Sequence, residues 1–443
     1  MAWNVVIAGG GFGGLQAAQR LCRNLPPHSA RITLVNETNF MLYTPLLPGA
    51  AAGTLEPRHV VVPLREQLSD RVDLRVGRVL GADPAQRRVS IRTLHGDVNE
   101  LRYDQLIVAL GSVSRTLPIP GLAEHAVGLK SLPEAIGLRN RLLQSLEIAE
   151  TIDDAAERAA HLTYVFVGAG YAGLEGLAEL QDFAVDVIDR YPRCRVSGMR
   201  WVLVDAADRV MSEINPKLAA FATRELRGRG IDIRTSTTLQ EVTDTHAVLS
   251  DGERIATRCV VWTAGVRPNP VVAQLGLPLD DRGRIPTDKY LQVEGHEDVW
   301  AIGDAAGVPD PAQRRKQAAP PTAQHATREG KVVADNVAAA LGVGRRRPFR
   351  YRTLGVFVDM GRGKAVASTV GVRWRGRPAW WLARTYHLLL MPGWGRRARL
   401  LVDWNIGLLF GRDTAELGQL GQLEGLPPAP ASPQREAPAR TVD

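Results

Sequence analysis

One glycine pattern occurs twice in this chain, about one domain apart. Gly9, Gly11 and Gly14 stand in VVIAGGGFGGL, and Gly168, Gly170 and Gly173 stand in YVFVGAGYAGL. Each copy follows a short β-branched run and opens an Ala/Leu-rich stretch of helical character. Such a turn carries a strand into a helix whose unpaired N–H groups point at a pyrophosphate. The first glycine makes the bend, the second admits the phosphates, and the third lets helix and strand pack closely. In a chain with 43 glycines, one match is as often an ordinary turn. Two matches, both between strand and helix, imply two dinucleotides. A flavoprotein needs that pair in order to take hydride from a nicotinamide.

A length of 443 residues suggests two or three domains. Cys22, Cys194 and Cys259 show no CxxC or metal spacing, which argues against a disulfide framework or a zinc site. No charged and apolar leader precedes the first strand, and no run of about 18 apolar residues predicts a membrane span. The net charge is +8, but it is concentrated. Between Gly342 and Arg412 many arginines and Lys364 are opposed by Asp359 and Asp403 alone. No nucleic-acid reading motif accompanies that charge.

The order of elements predicts an α/β fold of two Rossmann-like dinucleotide-binding domains with β-meanders, one inserted in the other. Residues 1–130 and 291–345 make the first domain, with strands at 31–36 and 106–112 and a meander over 70–110. Residues 131–290 make the second, with a helix over 133–160 and strands at 201–210 and 259–266. Residues 346–422 form a C-terminal element. The Pro/Ala-rich tail, 423–443, is expected to be disordered.

The two fingerprints, TAGV at 263–266, WAIGDAAG at 300–307 and AQHA at 323–326 together resemble the type II NADH dehydrogenases. These are single-chain NADH:quinone oxidoreductases of the superfamily with paired FAD and NAD domains. The resemblance implies that Gly9, Gly11 and Gly14 hold FAD, with Asp304 on its ribityl–phosphate portion. It places Thr44 and Pro45 under the isoalloxazine and Val79 against adenine, and adds Gly111 in LIVALGS to the cofactor residues. Where the family has an acid at the end of the second strand this chain has Asn36, followed by Glu37, and either could take the adenosine ribose. Gly168, Gly170, Gly173, Asp205 and Gly265 then fall to NADH. An acid such as Asp205 accepts from both ribose hydroxyls and repels a 2′-phosphate, although Arg209 nearby could receive one.

The resemblance also implies catalytic positions. Glu175, on the first turn of the second nucleotide helix, matches a glutamate at the flavin–nicotinamide junction, and Glu179 shares its face. Gln324 matches the first glutamine of the family's AQxAxQ signature beside the quinone. Arg328 replaces the second glutamine; His325 between them has no counterpart in the signature and is as readily a surface or packing histidine as a proton donor at the quinone site. Lys364 matches a lysine near the flavin, where a cation would stabilise the reduced ring. The implied activity is non-pumping, ping-pong transfer from NADH through FAD to a membrane quinone. A soluble NAD(P)H oxidoreductase with another acceptor is the alternative that Arg328 keeps open. A sulfide:quinone oxidoreductase would need redox cysteines beside the flavin, and the three here are not so placed.

The segment 379–412 mixes Trp380, Trp381, Tyr386, Trp394 and Trp404 with leucines and arginines. That composition suits amphipathic helices lying among lipid headgroups, drawn to anionic lipids and anchoring the protein at the cytoplasmic face of the cell membrane. A homodimer contact is the other use of such a surface.

Overall fold

Trp3–Ala8 and Gln105–Val108 are apolar on both faces, as parallel strands covered on both sides must be. They pair in parallel at the heart of a seven-stranded sheet. Ala30–Asn36 and Val72–Asp83 extend it in parallel on one side, and Val299–Ala301 joins on the other. The chain therefore leaves this sheet after Val108 and comes back to it at Val299. Val72–Asp83, Arg88–Thr93 and Val98–Arg102 form the antiparallel meander at its far edge. The computed structural model describes residues 2–310, 318–353, 355–369 and 371–416. The tail read as disordered from residue 423 lies outside them.

Between the two visits stands a second, five-stranded sheet. Thr163–Val167 is buried at every position and centres it. Cys259–Trp262 and Ala126–Gly128 lie to one side, Arg200–Val204 and Ile231–Arg234 to the other, all in parallel. The strand expected over 201–210 stops at Val204, because the Asp205 carboxylate turns back to accept from the amides of Ala169 and Ala207. The helix expected over 133–160 is two helices. Leu132–Thr151 starts at a capping box of Ser131 and Glu134, and Ala155–His161 starts at Asp154.

Two further helices frame the site. Ala323–Ala340 lies against the first nucleotide helix, Phe12–Asn24, with backbones in near contact: a Cβ at Gly330 would meet Gly13 O at 2.2 Å. Arg20 and Asn24 grip Asp335 across that seam. The second nucleotide helix, Tyr171–Val187, holds the C-terminal element. Its Asp182 takes Arg229 and also Arg362, which lies on the turn between the first two strands of an antiparallel sheet (Gly355–Asp359, Ala365–Thr369, Val372–Gly376). Helices Arg377–Leu390 and Trp394–Phe410 follow, separated by Pro392 and by Gly393 at φ +83°. Among the described residues no helix is long and apolar enough to cross a membrane.

Candidate active site

Both glycine turns have the geometry that a pyrophosphate cradle requires. Gly9 and Gly168 adopt φ +107° and +106°, a region that favours glycine. A Cβ at Gly14 would lie 1.8 Å from Gly9 O, and one at Gly173 would lie 1.9 Å from Gly168 O. Gly11 and Gly170 differ: a Cβ there meets nothing within 4 Å. These middle glycines therefore serve space outside the protein's own packing. Each is also the N-cap of its helix and offers no side-chain cap, so the first N–H groups remain for an anion. The residues present fit a dinucleotide at both turns.

The ends of the two second strands act alike. Asn36 Oδ1 accepts from Gly10 N at 2.8 Å, and Asp205 accepts from Ala169 N, the equivalent turn position. Asn36 spends its amide on the carbonyls of Thr38 and Phe40. Glu37 is exposed and lines the first nucleotide cleft. Arg209 bonds the carbonyls of Ser212 and Ile214.

The first cleft holds about 690 Å³ and is walled by Gly9, Gly11, Glu37, Thr44, Gly111 and Asp304. Asp304 accepts from Ser112 Oγ at 2.5 Å and lies 3.8 Å from Lys130 Nζ. Glu329 holds the turn beneath it, accepting from Gly303 N at 2.6 Å. Burial, reinforced by the charge of Asp304, pushes the Glu329 carboxyl up to about 7.

A second cavity of about 910 Å³ opens from this cleft. Thr44, Pro45, Glu175, Gln324, His325 and Arg328 line it, together with Tyr351, Tyr386 and His387. Gln324 is held from three sides. Its Oε1 accepts from Tyr351 at 2.8 Å and Thr353 at 3.2 Å, and its Nε2 donates to Gly355 O at 3.1 Å. The His325 ring meets Thr322 Oγ1 at 2.7 Å and stands edge-on to Tyr351, and burial lowers its basicity. The Arg328 guanidinium lies over the Tyr351 ring at 5.6 Å.

Glu175 borders this cavity and a chamber of about 50 Å³ behind it, shared with Glu179, Asp359, Arg384 and His387. Glu175 Oε1 accepts from Asp359 N at 2.9 Å. Burial, with Asp359 and Glu179 as like charges, raises the Glu175 carboxyl well above its ordinary range. Asp359 is pushed up for the same reasons. Arg384 faces them, its guanidinium 3.9 Å and 4.8 Å from the ring centres of Trp380 and Trp404. Burial pushes His387 down to about 4, so its ring is neutral.

Gly14, Gly168, Gly170, Gly173 and Asp205 line neither cavity, and nor do Lys364, Val79 and Gly265. Lys364 is half-exposed and pairs with Glu225 on the helix Pro216–Gly228, because its hairpin turns outward against that helix. The expectation that it stands at the flavin is therefore corrected. Val79 is 5% exposed, packed in the core and paired with Ile91. Gly265 adopts φ +98° and accepts from Arg115 N at 3.1 Å. Sequence reasoning missed Lys130, Glu329, Asp359, Arg384 and His387. One signal was available: Glu175, Glu179, Asp182 and Asp186 fall on one helical face, so their covering residues had to supply cations.

The first cradle walls the nucleotide cleft, and Tyr171 and Ala172, directly after the second, line the larger cavity beside it; a pair of cradles so placed is the arrangement of an oxidoreductase that uses two dinucleotides. The pattern of the pyridine nucleotide-disulphide oxidoreductases matches residues 3–330. The chain is 31% identical over 422 residues to the type II NADH:quinone oxidoreductase Ndh of Mycobacterium tuberculosis, covering 92% of this chain and 88% of that one. It is 29% identical over 416 residues to a probable NADH dehydrogenase of Dictyostelium discoideum, covering 92% and 90%. The structure of NDH2 from Plasmodium falciparum in complex with NADH shares the fold at TM-score 0.87 and 17% identity, over 94% of this chain and 100% of that one. The chain belongs to the pyridine nucleotide-disulphide oxidoreductase family, in its type II NADH:quinone oxidoreductase branch.

Proposed function

We infer that this chain transfers two electrons from NADH to a quinone, by NADH + H⁺ + Q → NAD⁺ + QH₂. The single observation that carries the reading is the opening of the first nucleotide cleft into a cavity that Glu175 and Gln324 both line. Bound FAD supplies a two-electron carrier between the two substrates. Gly9, Gly11 and Gly14 hold its pyrophosphate, Glu37 its ribose, and Asp304 its polyol chain. Gly168, Gly170 and Gly173 hold NADH, with Asp205 at the ribose. Arg209 is occupied by two backbone carbonyls, which favours NADH over NADPH.

Each turnover needs one proton from water. Glu175 borders the cavity, and burial raises its carboxyl well above the ordinary range, which suits it to hold a proton and release it there. Gln324 is pinned by Tyr351, Thr353 and Gly355 and orients the quinone, and Arg328 replaces a neutral amide with a stronger donor. The second half reaction uses the same cavity after NAD⁺ has left, which is the ping-pong order.

The exposed side of the last two helices supports docking on a membrane surface, which we place at the cytoplasmic face. Trp394 is 83% and Phe410 81% exposed, with Leu408 and Leu409 beside the latter. Arginines on the same helices suit anionic lipids. Tyr386 and His387 line the cavity from one of these helices, so docking brings its mouth to a lipid-soluble acceptor.

Anaerobic stopped-flow tests the reading. Flavin absorbance should bleach with NADH and recover on adding quinone. Gln324→Ala should leave the bleaching rate within about twofold and slow recovery about tenfold or more. Equal slowing of both phases would remove Gln324 from the quinone site, and a flavin that NADH never bleaches would remove the function.

A further inference from the structure

We propose that Lys130 is the cation that stabilises the reduced flavin, the part expected of Lys364. The proposal rests on the reading above for the presence of FAD. The nucleotide cleft and the larger cavity share a short stretch of wall, where a ring that must meet both cofactor and substrate has to lie. Seven described residues line both, and Lys130 is the charged one among them; Phe12, Met41 and Thr44 are typical of the rest. It is also the single Lys or Arg among the described residues that wall the nucleotide cleft, where the other charges are Glu37, Glu134 and Asp304.

The side chain is placed, and its one charged partner among the described residues is held at long range. Lys130 directly precedes Ser131, whose amide and hydroxyl both bond Glu134 Oε2 at the start of the helix Leu132–Thr151. Lys130 N donates to the same oxygen at 2.8 Å, which fixes the backbone at the root of the side chain. Its Nζ stands 3.8 Å from Asp304 Oδ2, close enough for attraction and too far for a hydrogen bond. An ammonium has three donors; Lys130 lines both cavities, and among the described residues its Nζ has only the ion pair with Asp304. A pyrophosphate would have the uncapped helix N-terminus at Gly11, so this charge is not required for it. An electron pair arriving with one proton leaves net negative charge on the ring. A cation beside it stabilises that form over the oxidised one.

Equilibrium titration of the bound flavin against a reference dye reads the effect without turnover. Lys130→Met should shift the flavin's redox equilibrium toward the oxidised form by about tenfold, equal to about 30 mV for a two-electron couple. Lys130→Arg should restore most of the shift, and Lys364→Met should leave the potential at the wild-type value. A Lys130→Met potential equal to wild type, or equal shifts in the Met and Arg variants, would overturn the assignment. A shift from Lys364→Met as large as that from Lys130→Met would also overturn it. Wild-type protein that binds no FAD would instead refute the underlying function, and this assignment with it. If Lys130→Met loses FAD, Lys130→Gln is titrated in its place and judged by the same values.

Discussion

Glu329→Gln should make the protein more stable at alkaline pH than at acid pH, relative to wild type. The carboxyl is 2% exposed, accepts from Gly303 N, and is pushed up to about 7 from an ordinary 4.5. A carboxyl raised on folding binds more protons in the folded state than in the unfolded state. Stability from this group is therefore complete below about 4.5 and is lost as pH rises through about 7. Between pH 5.5 and 8.5 that loss is about 2 kcal/mol. Glutamine keeps an oxygen for Gly303 N but has no proton to lose. The loaded variant should gain about 2 kcal/mol on wild type across this interval, a few degrees in Tm. Thermal melts of both proteins at the two pH values read the difference, and all other titrating groups cancel. A Tm difference that is the same at pH 5.5 and 8.5 would refute the reasoning. A glutamine variant that also loses FAD would show that charge, not the Gly303 bond, holds the Asp304 turn.

Gly170→Ala should fold normally, since its Cβ meets nothing within 4 Å, but should raise KM for NADH at least tenfold while FAD stays bound. An unchanged KM would mean that no pyrophosphate lies against Gly170. Leu409→Glu with Phe410→Glu, both strongly exposed, should release the protein from anionic vesicles at low salt and leave activity with a water-soluble quinone intact. Unchanged sedimentation with vesicles would remove the membrane face from the last helix.

The glycine turns were legible because their constraint is on backbone, and backbone geometry follows from local sequence. Gly9, Gly14, Gly168 and Gly173 each bar a side chain through atoms only a few residues away or on the adjoining strand end. Lys364 was not legible. MGRGKAVAS does not record which way its lysine faces, and Glu225 is brought to it by the fold. The same holds for the acid chamber. Glu175, Asp359, Arg384 and His387 come from three elements, and no spacing along the chain records their meeting. The C-terminal helices were read as a surface device, whereas one of them also supplies cavity wall. Its Ala383, Arg384, His387 and Leu390 recur at helical spacing, and the polar members of that face were hidden among so many other cations.

The two cradles differ most at one position, and that difference makes the cofactor preference testable. Asn36 and Asp205 both fasten the second residue of their turns, so neither is explained by the ribose alone. The neutral amide does this without charge, and an exposed Glu37 follows it. The carboxylate fastens two amides, those of Ala169 and Ala207, and retains lone pairs for hydroxyls. Asp205→Asn gives the second copy the first copy's chemistry. One amide loses its acceptor, at a cost of about 1 kcal/mol, and NADH loses a charge-assisted bond. NADPH loses a repulsion but gains no phosphate receiver, because Arg209 is tied to Ser212 and Ile214. The NADPH/NADH ratio of kcat/KM should rise about tenfold to a hundredfold, through a fall for NADH and a modest rise for NADPH. A ratio unchanged from wild type would mean that Asp205 serves the turn and not the ribose.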